Sequence, residues 1–327
     1  MIRVENFEQA RLSHRYYGGN AGKKVGIRWN GDNWLLKFST ADHGRKGSSH
    51  SSSTAPAHPQ GGSQCIAATS AVSEYLASHI YESMGIPTQQ TLLGIREGKL
   101  VCACRDFVGP GERLYDFHEL KNSLSDNLPG FARPASDGMS RVLSDITAAI
   151  EQLDVFPRVE KVQERFWDMF VTDAFLSNAA RDNTNWGVLI TDSTVTLTPV
   201  YDNGSAFTTE FSDDEMGMRL THSELLKADA HHMLSFFITD TSKPVDPLEY
   251  IASGVSAQCT AALQRFVEHI DLDDVTRLFE ELPLTCQGRK IITENWRRYQ
   301  LALLHLRFTI RCSCRSIIAL CRRNLVS

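Results

Sequence analysis

The sequence has no apolar run near the roughly 18 to 20 residues that a bilayer-spanning helix needs, so no membrane span is expected in its 327 residues. It has no excess of positive charge either. The formal net charge is −5, and without a basic face direct nucleic-acid binding is not expected. The eight cysteines (Cys65, Cys102, Cys104, Cys259, Cys286, Cys312, Cys314 and Cys321) form no CxxC pair and show no zinc-ligand spacing with histidine. Cys312-Ser313-Cys314 is too short and isolated for a metal site. Reduced, mostly buried thiols are expected instead. The opening MIRVENFEQARL is polar throughout and lacks the apolar stretch of a secretory signal. A Walker A loop is also missing, because no GxxxxGK is followed by Ser or Thr.

The chain is 42% hydrophobic and 22% charged, an ordinary globular composition. Its length suits one two-lobed domain with a core that needs no disulfide support. Lys24 to Trp29 and Trp34 to Phe38 flank Asn30-Gly31, a strong hairpin signal. Ser39 to Gln64 is rich in Ser, Gly, His and Pro and has little to bury, which predicts a mobile loop. Val72, Leu76, Ile80 and Met84 place an apolar stripe on a helix over 70–84, with Gly85 as its cap. Thr91 to Ile95 and Leu100 to Cys104 form a second hairpin across Arg96-Glu97-Gly98-Lys99, and Val108 to Gly111 is a linker. Met139 to Leu153 and Val159 to Leu176 are helical, Trp186 to Thr191 and Thr194 to Pro199 form a third hairpin, and helices follow from Ser223. Arg307, Arg311 and Arg315 recur four apart and predict the solvated face of an amphipathic helix. Five strands and one helix, a linker and a helical half define an α+β, two-lobed plan with the halves at 1–108 and 109–327.

Several residues could carry chemistry. Tyr16-Tyr-Gly-Gly-Asn-Ala-Gly-Lys-Lys24 is glycine-rich, and freed backbone N–H groups there could approach phosphate oxygens, as could those of any tight turn. Lys37 interrupts the apolar strand WLLKF and must reach an edge or find a partner. Glu74, beside the stripe of the next helix, offers one. SNAARDNTNWGVL then carries Asn178 and Asn185, and Tyr201-Asp202-Asn203-Gly204 follows one hairpin later. Taken singly, each Asn or Asp is a turn former. In this order, after Lys37 and Glu74, they match the parts of a phosphoryl-transfer site.

The blocks YYGGNAGKKVGI, WLLKF, SEYLASHIYESMGIP with TLLG, CACRDF, ERFWDMFVTDAFLSNAARDNTNWGVL and TPVYDNGSAF resemble the HipA-like family of bacterial serine/threonine kinases. The match is to its compact, CtkA-like branch and runs from Tyr16 to Phe207 in family order. The resemblance implies a protein-kinase-like two-lobed fold with a β-rich N-lobe, one main helix and a helical C-lobe. It implies ATP and Mg²⁺ as cofactors. Gly18, Gly19 and Gly22 would cover the phosphates, Lys37 would contact them and Glu74 would hold the lysine. Asp106 and Phe107 would form the adenine hinge, and Asn185 and Asp202 would bind the metal. Ser48, Ser49, Ser51, Ser52 and Ser53 become candidate autophosphorylation sites, against the plain reading of a disordered loop. Expected partners are a protein substrate, and an antitoxin or host protein. The expected location is the bacterial cytoplasm, or a host cell reached without a classical signal peptide.

One position departs from the family. An aspartate is expected five residues before Asn185, where this chain has Ala180, in an otherwise matching N-x-D-R-x-x-x-N pattern. Three explanations stand. The favoured one is an introduced Asp→Ala change, since active toxin-like kinases poison the cells that express them. The second is a natural pseudokinase. The third makes Asp182 the base, which is disfavoured because a misplacement of about 1 Å already costs about 100-fold. A small-molecule kinase on the same fold is the remaining alternative.

Overall fold

The computed structural model describes residues 1–17, 23–39, 69–124, 141–152, 155–156, 159–233 and 235–312, with backbone alone at 122–124 and 310–312. The chain begins with β1 (Val4–Asn6), β2 (Arg11–Leu12), β3 (Lys24–Trp29) and β4 (Asp32–Phe38). Helix α1 (Ser70–Ser83), β5 (Thr91–Arg96) and β6 (Lys99–Arg105) complete this part. Its six-stranded sheet has the order β1-β5-β6-β4-β3-β2. Only the β1–β5 pair in it is parallel.

Two tight hairpins set the register. Asn30 (φ 50) and Gly31 (φ 89) turn β3 into β4, and Glu97 (φ 51) and Gly98 (φ 63) turn β5 into β6. Positive φ at both central residues matches the right-handed twist of the flanking strands. The β3–β4 turn pairs Lys24 with Lys37, and Lys37 in turn pairs with Cys102 on β6. Lys37 is thereby fixed in a central strand.

The sheet has six strands where five were expected. With three and two residues, β1 and β2 are too short to show alternation. Their anchor is Phe7, fully buried and packed where a Cβ on Gly94 would come within 2.2 Å of its ring. Only glycine permits that approach.

Helix α1 ends as expected, with Met84 at the C-cap and Gly85 beyond it at φ 75. Val72, Leu76 and Ile80 are buried, and so are Ser73, Glu74 and Ser78. A helix buried on its polar residues as well must find partners for them.

The second half contains β7 (Arg113–Asp116), α2 (Phe117–Leu124), α3 (Leu143–Gln152), α4 (Val162–Leu176), β8 (Gly187–Ile190) and β9 (Val195–Leu197). It continues with α5 (Asp213–Leu220), α6 (Ser223–His231), α7 (Pro247–Ser253), α8 (Ala257–His269) and α9 (Leu272–Glu281). A small hairpin, β10 (Thr285–Cys286) and β11 (Arg289–Lys290), precedes α10 (Glu294–Cys312). The hairpin expected after Trp186 is β8–β9, extended to three strands by β7 just past the expected linker. A Cβ on Gly187 would lie 2.1 Å from the Tyr115 carbonyl oxygen, so the β7–β8 pair requires glycine there. Trp186 stacks on Phe117 at 4.3 Å and closes the core beneath. Helix α4 packs along α8 in the middle of this half, with eleven of its residues buried.

The expectation for Arg307 is corrected. Its side chain is 2% exposed, and its guanidinium donates to the carbonyls of Ala230 and Phe175, each at 3.3 Å. The carbonyl-rich C-terminal ends of α6 and α4 thus stand in for water. Burial lowers its pKa to about 10. The side chain of Arg311, and Arg315, lie outside what is described. Cys102, Cys104 and Cys259 are buried thiols and Cys286 is partly exposed. Among the described residues no helix is long and apolar enough to cross a membrane.

Candidate active site

Lys37 Nζ donates to Glu74 Oε2 at 2.8 Å and to Asp202 Oδ1 at 2.7 Å. Residues far apart in sequence therefore meet at one ammonium. Glu74 is fully buried, whereas the Lys37 and Asp202 side chains are 17% and 40% exposed, so the charge cluster opens on one side. Burial disfavours the charged lysine, but Glu74 and Asp202 outweigh it and raise its pKa well above the usual value. Lys37 in return lowers the pKa of Asp202.

Asp202 sits at φ 59. Aspartate is among the few residues that tolerate this left-handed conformation. The next residue secures it. Asn203 donates its main-chain N–H to Glu74 Oε1 at 3.0 Å and its side-chain N–H to Ser78 Oγ at 3.0 Å. A Cβ on Gly204 would lie 3.2 Å from Glu74 Oε2, so the chain passes close to α1 here.

The loop between α4 and β8 is built from below. Ser177 (φ 58) ends α4, and Asn178 folds back to donate from its main chain and side chain to Asp173, each at 2.9 Å. The buried Arg181 donates to Asp173 Oδ2 at 2.8 Å. It also donates to the carbonyls of Asn185 and Tyr201 and to Asn203 Oδ1. One guanidinium thus ties the Asn185 loop to the Asp202 loop. Burial opposes charge on Arg181, but Asp173 holds its pKa above the usual value. Tyr81 of α1 completes the network by donating to Asp173 Oδ1 at 2.8 Å.

Ala180 is exposed. Its carbonyl accepts Asn185 Nδ2–H at 2.9 Å and the Asp182 N–H at 2.8 Å. With Nδ2 so engaged, Asn185 turns its oxygen elsewhere and Thr184 Oγ1 approaches it only at 3.5 Å. Asp182 accepts the Thr184 N–H at 2.8 Å and its hydroxyl at 2.6 Å on one oxygen, an Asx turn.

Asp106 and Phe107 directly follow β6. The Asp106 N–H donates to the Asn33 carbonyl at 2.9 Å. Its carboxylate receives Tyr17 Oη–H at 3.0 Å and Arg15. Phe107 lies 5.4 Å from the Tyr201 ring, between centroids. Gly18, Gly19 and Gly22, and Ser48, Ser49, Ser51, Ser52 and Ser53, lie outside the described residues.

The protein is 28% identical over 278 residues to the serine/threonine-protein kinase CtkA of Helicobacter pylori, covering 84% of this chain and 78% of that protein. The chain is a homologue of CtkA. The crystal structure of the H. pylori proinflammatory kinase CtkA superposes with a TM-score of 0.76 at 24% identity, over 99% of both chains. The fold is therefore that of CtkA, a curled sheet followed by a helical remainder. No protein-family profile matches the chain. The homology to CtkA supports a kinase-like function.

The structure brings Lys37, Glu74 and Asp202 into contact and ties the Asn185 loop to them through residues that the sequence pattern does not single out. Asp173 was visible as a lone charge in the apolar run FVTDAFL, where a buried carboxylate demands a cation. Arg181 stands out in the sequence only as part of the motif, and Asn203 and Tyr81 carry no separate signal.

Proposed function

We propose that this fold is an ATP-dependent serine/threonine protein kinase, and that the present chain is catalytically disabled at Ala180. The observation that carries this reading is the Lys37 ammonium held between Glu74 and Asp202, at 2.8 and 2.7 Å. A strand lysine braced by a helix carboxylate, with a second carboxylate across the cleft, is the arrangement that positions nucleotide phosphates in kinases.

The donor set fits Mg²⁺-ATP. Asn185 and Asp202 offer oxygen ligands, which a hard divalent ion prefers. Among the described residues no group of three or more His, Cys, Asp or Glu side chains is placed to hold a metal alone. The bound nucleotide would supply the transferable phosphoryl group. Lys37 would neutralise phosphate charge, and Glu74 would keep the ammonium on the cleft side of the sheet. Arg181 would hold the Asn185 and Asp202 loops at fixed separation. The Phe107 main chain would meet adenine, since the Asp106 N–H is engaged by Asn33.

The hydroxyl of a protein substrate needs a carboxylate to orient it and accept its proton, and Ala180 has none. Asp182 is a poor substitute, because one oxygen of its carboxylate is held in the Thr184 turn. A natural pseudokinase that binds nucleotide and regulates a partner is the second reading, favoured by the same alanine beside an otherwise complete set. Autophosphorylation in the 48–53 serine run, and an antitoxin or host-protein partner, belong to the first.

Calorimetric titration of the full chain with Mg²⁺-ATP tests the nucleotide part. Binding is expected for the chain as it stands and for Ala180→Asp, with loss in Lys37→Met and Asp202→Asn. Equal binding in all four would remove the site from this cleft.

A further inference from the structure

Helix α1 is buried on two opposite sides. Val72, Leu76 and Ile80 form the apolar side. Glu74, Ser78 and Tyr81 follow at steps of four and three residues, which puts them on one line along the other side. All three are buried. Glu74 and Ser78 hold Asn203: Glu74 Oε1 accepts its main-chain N–H and Ser78 Oγ its side-chain N–H, each at 3.0 Å. Tyr81 Oη donates to Asp173 Oδ1 at 2.8 Å.

Asp173 is the footing of the loop that carries position 180. It accepts Asn178 through the main chain and side chain, and Arg181 through Nε and Nη2 at 2.8 and 3.2 Å. The Tyr81 hydroxyl joins α1 to this footing. One face of one helix therefore touches the anchors of both the Asn185 loop and the Asp202 loop. Burial, reinforced by Asp173, raises the pKa of Tyr81 well above its ordinary value, so its hydroxyl stays a donor. Packing alone does not call for such a line. Replacing both partners of a buried hydrogen bond by apolar groups of the same shape is nearly neutral. An apolar line against apolar partners would bury α1 equally well, so the hydroxyls at 78 and 81 act on position rather than on burial.

We propose that Ser78 and Tyr81 are positioning residues for phosphoryl transfer: Ser78 holds the Asp202 loop beside Lys37, and Tyr81, acting through Asp173, holds the 178–185 loop at its distance from the nucleotide. The inference rests on the reading of the cleft as a kinase site. Glu74 lies on the same line, about one turn before Ser78, and grips Lys37 with its other oxygen. A shift of α1 that moves the lysine therefore moves both loops with it.

Hydrogen exchange on the full chain, without nucleotide, tests the positioning. Tyr81→Phe keeps the ring and removes the donor. It is expected to raise exchange at residues 178–185 by about fivefold or more, with a smaller rise at 202–204. Ser78→Ala gives the opposite order. Ile80→Val, on the apolar side of the same helix, is the control for a merely structural loss and moves neither loop. Kinetics in the Ala180→Asp background read the consequence. There Tyr81→Phe lowers kcat about tenfold with KM for ATP within about twofold, whereas Ser78→Ala raises KM. The proposal is overturned if Tyr81→Phe leaves residues 178–185 exchanging as in the parent, if Ile80→Val raises their exchange as much, or if Tyr81→Phe changes KM alone. An inactive Ala180→Asp would count against the kinase reading, and exchange would still decide the positioning.

Discussion

Glu74 and Asn203 are joined at 3.0 Å, a buried carboxylate oxygen of α1 accepting a main-chain N–H of the loop that carries Asp202. The other oxygen of Glu74 holds Lys37. One side chain therefore sets both the lysine and the aspartate loop. Glu74→Ala is expected to destabilise the fold by about 3 kcal/mol, the scale for breaking a buried ion pair. It should also weaken Mg²⁺-ATP binding more than a control variant of equal stability loss away from the site does. Urea denaturation and calorimetry on the same samples check both.

Arg181 joins Asp173, Asn185, Tyr201 and Asn203 through a planar fork. Lysine keeps the charge but cannot reach four acceptors in that geometry. Arg181→Lys should cost on the order of 2 kcal/mol. Hydrogen exchange should rise together at the Asn185 and Asp202 loops. Faster exchange in only one of them would break the link between the loops.

Gly187 has no room for a side chain, with the Tyr115 carbonyl 2.1 Å from where a Cβ would sit. Gly187→Ala should force β7 away from β8 and cost about 3 kcal/mol. The effect is read as a lowered urea midpoint with loss of protection at residues 113–116.

Asp202 has its pKa lowered in the fold by Lys37. A lowered carboxylate contributes stability that is present above its unfolded value, about 3.9, and is lost as pH falls through the folded value. The stability difference between the chain and Lys37→Met should therefore be full at neutral pH and shrink below about pH 4. Denaturation at a series of pH values, without added metal, tests the sign.

The turns and the strands they set were legible because Asn30-Gly31 and Glu97-Gly98 encode hairpins locally. Lys37 and Glu74 were legible because each is a charge in an apolar setting. Strands β1 and β2 were not, since their pairing depends on contacts such as Phe7 against Gly94 that no local pattern reports. Arg307 misled for the same reason: its four-residue spacing with Arg311 resembles a solvated face, while its partners are carbonyls on α4 and α6. The Arg181 network was invisible because its members become neighbours only when α1, α4 and both loops are packed.

The most direct test is phosphotransfer from γ-labelled ATP with Mg²⁺, run in parallel on this chain and on Ala180→Asp. Autophosphorylation or transfer to a generic protein substrate is expected in Ala180→Asp alone, with both proteins binding nucleotide. Equal transfer by the two would contradict it, because the base would then lie somewhere other than position 180.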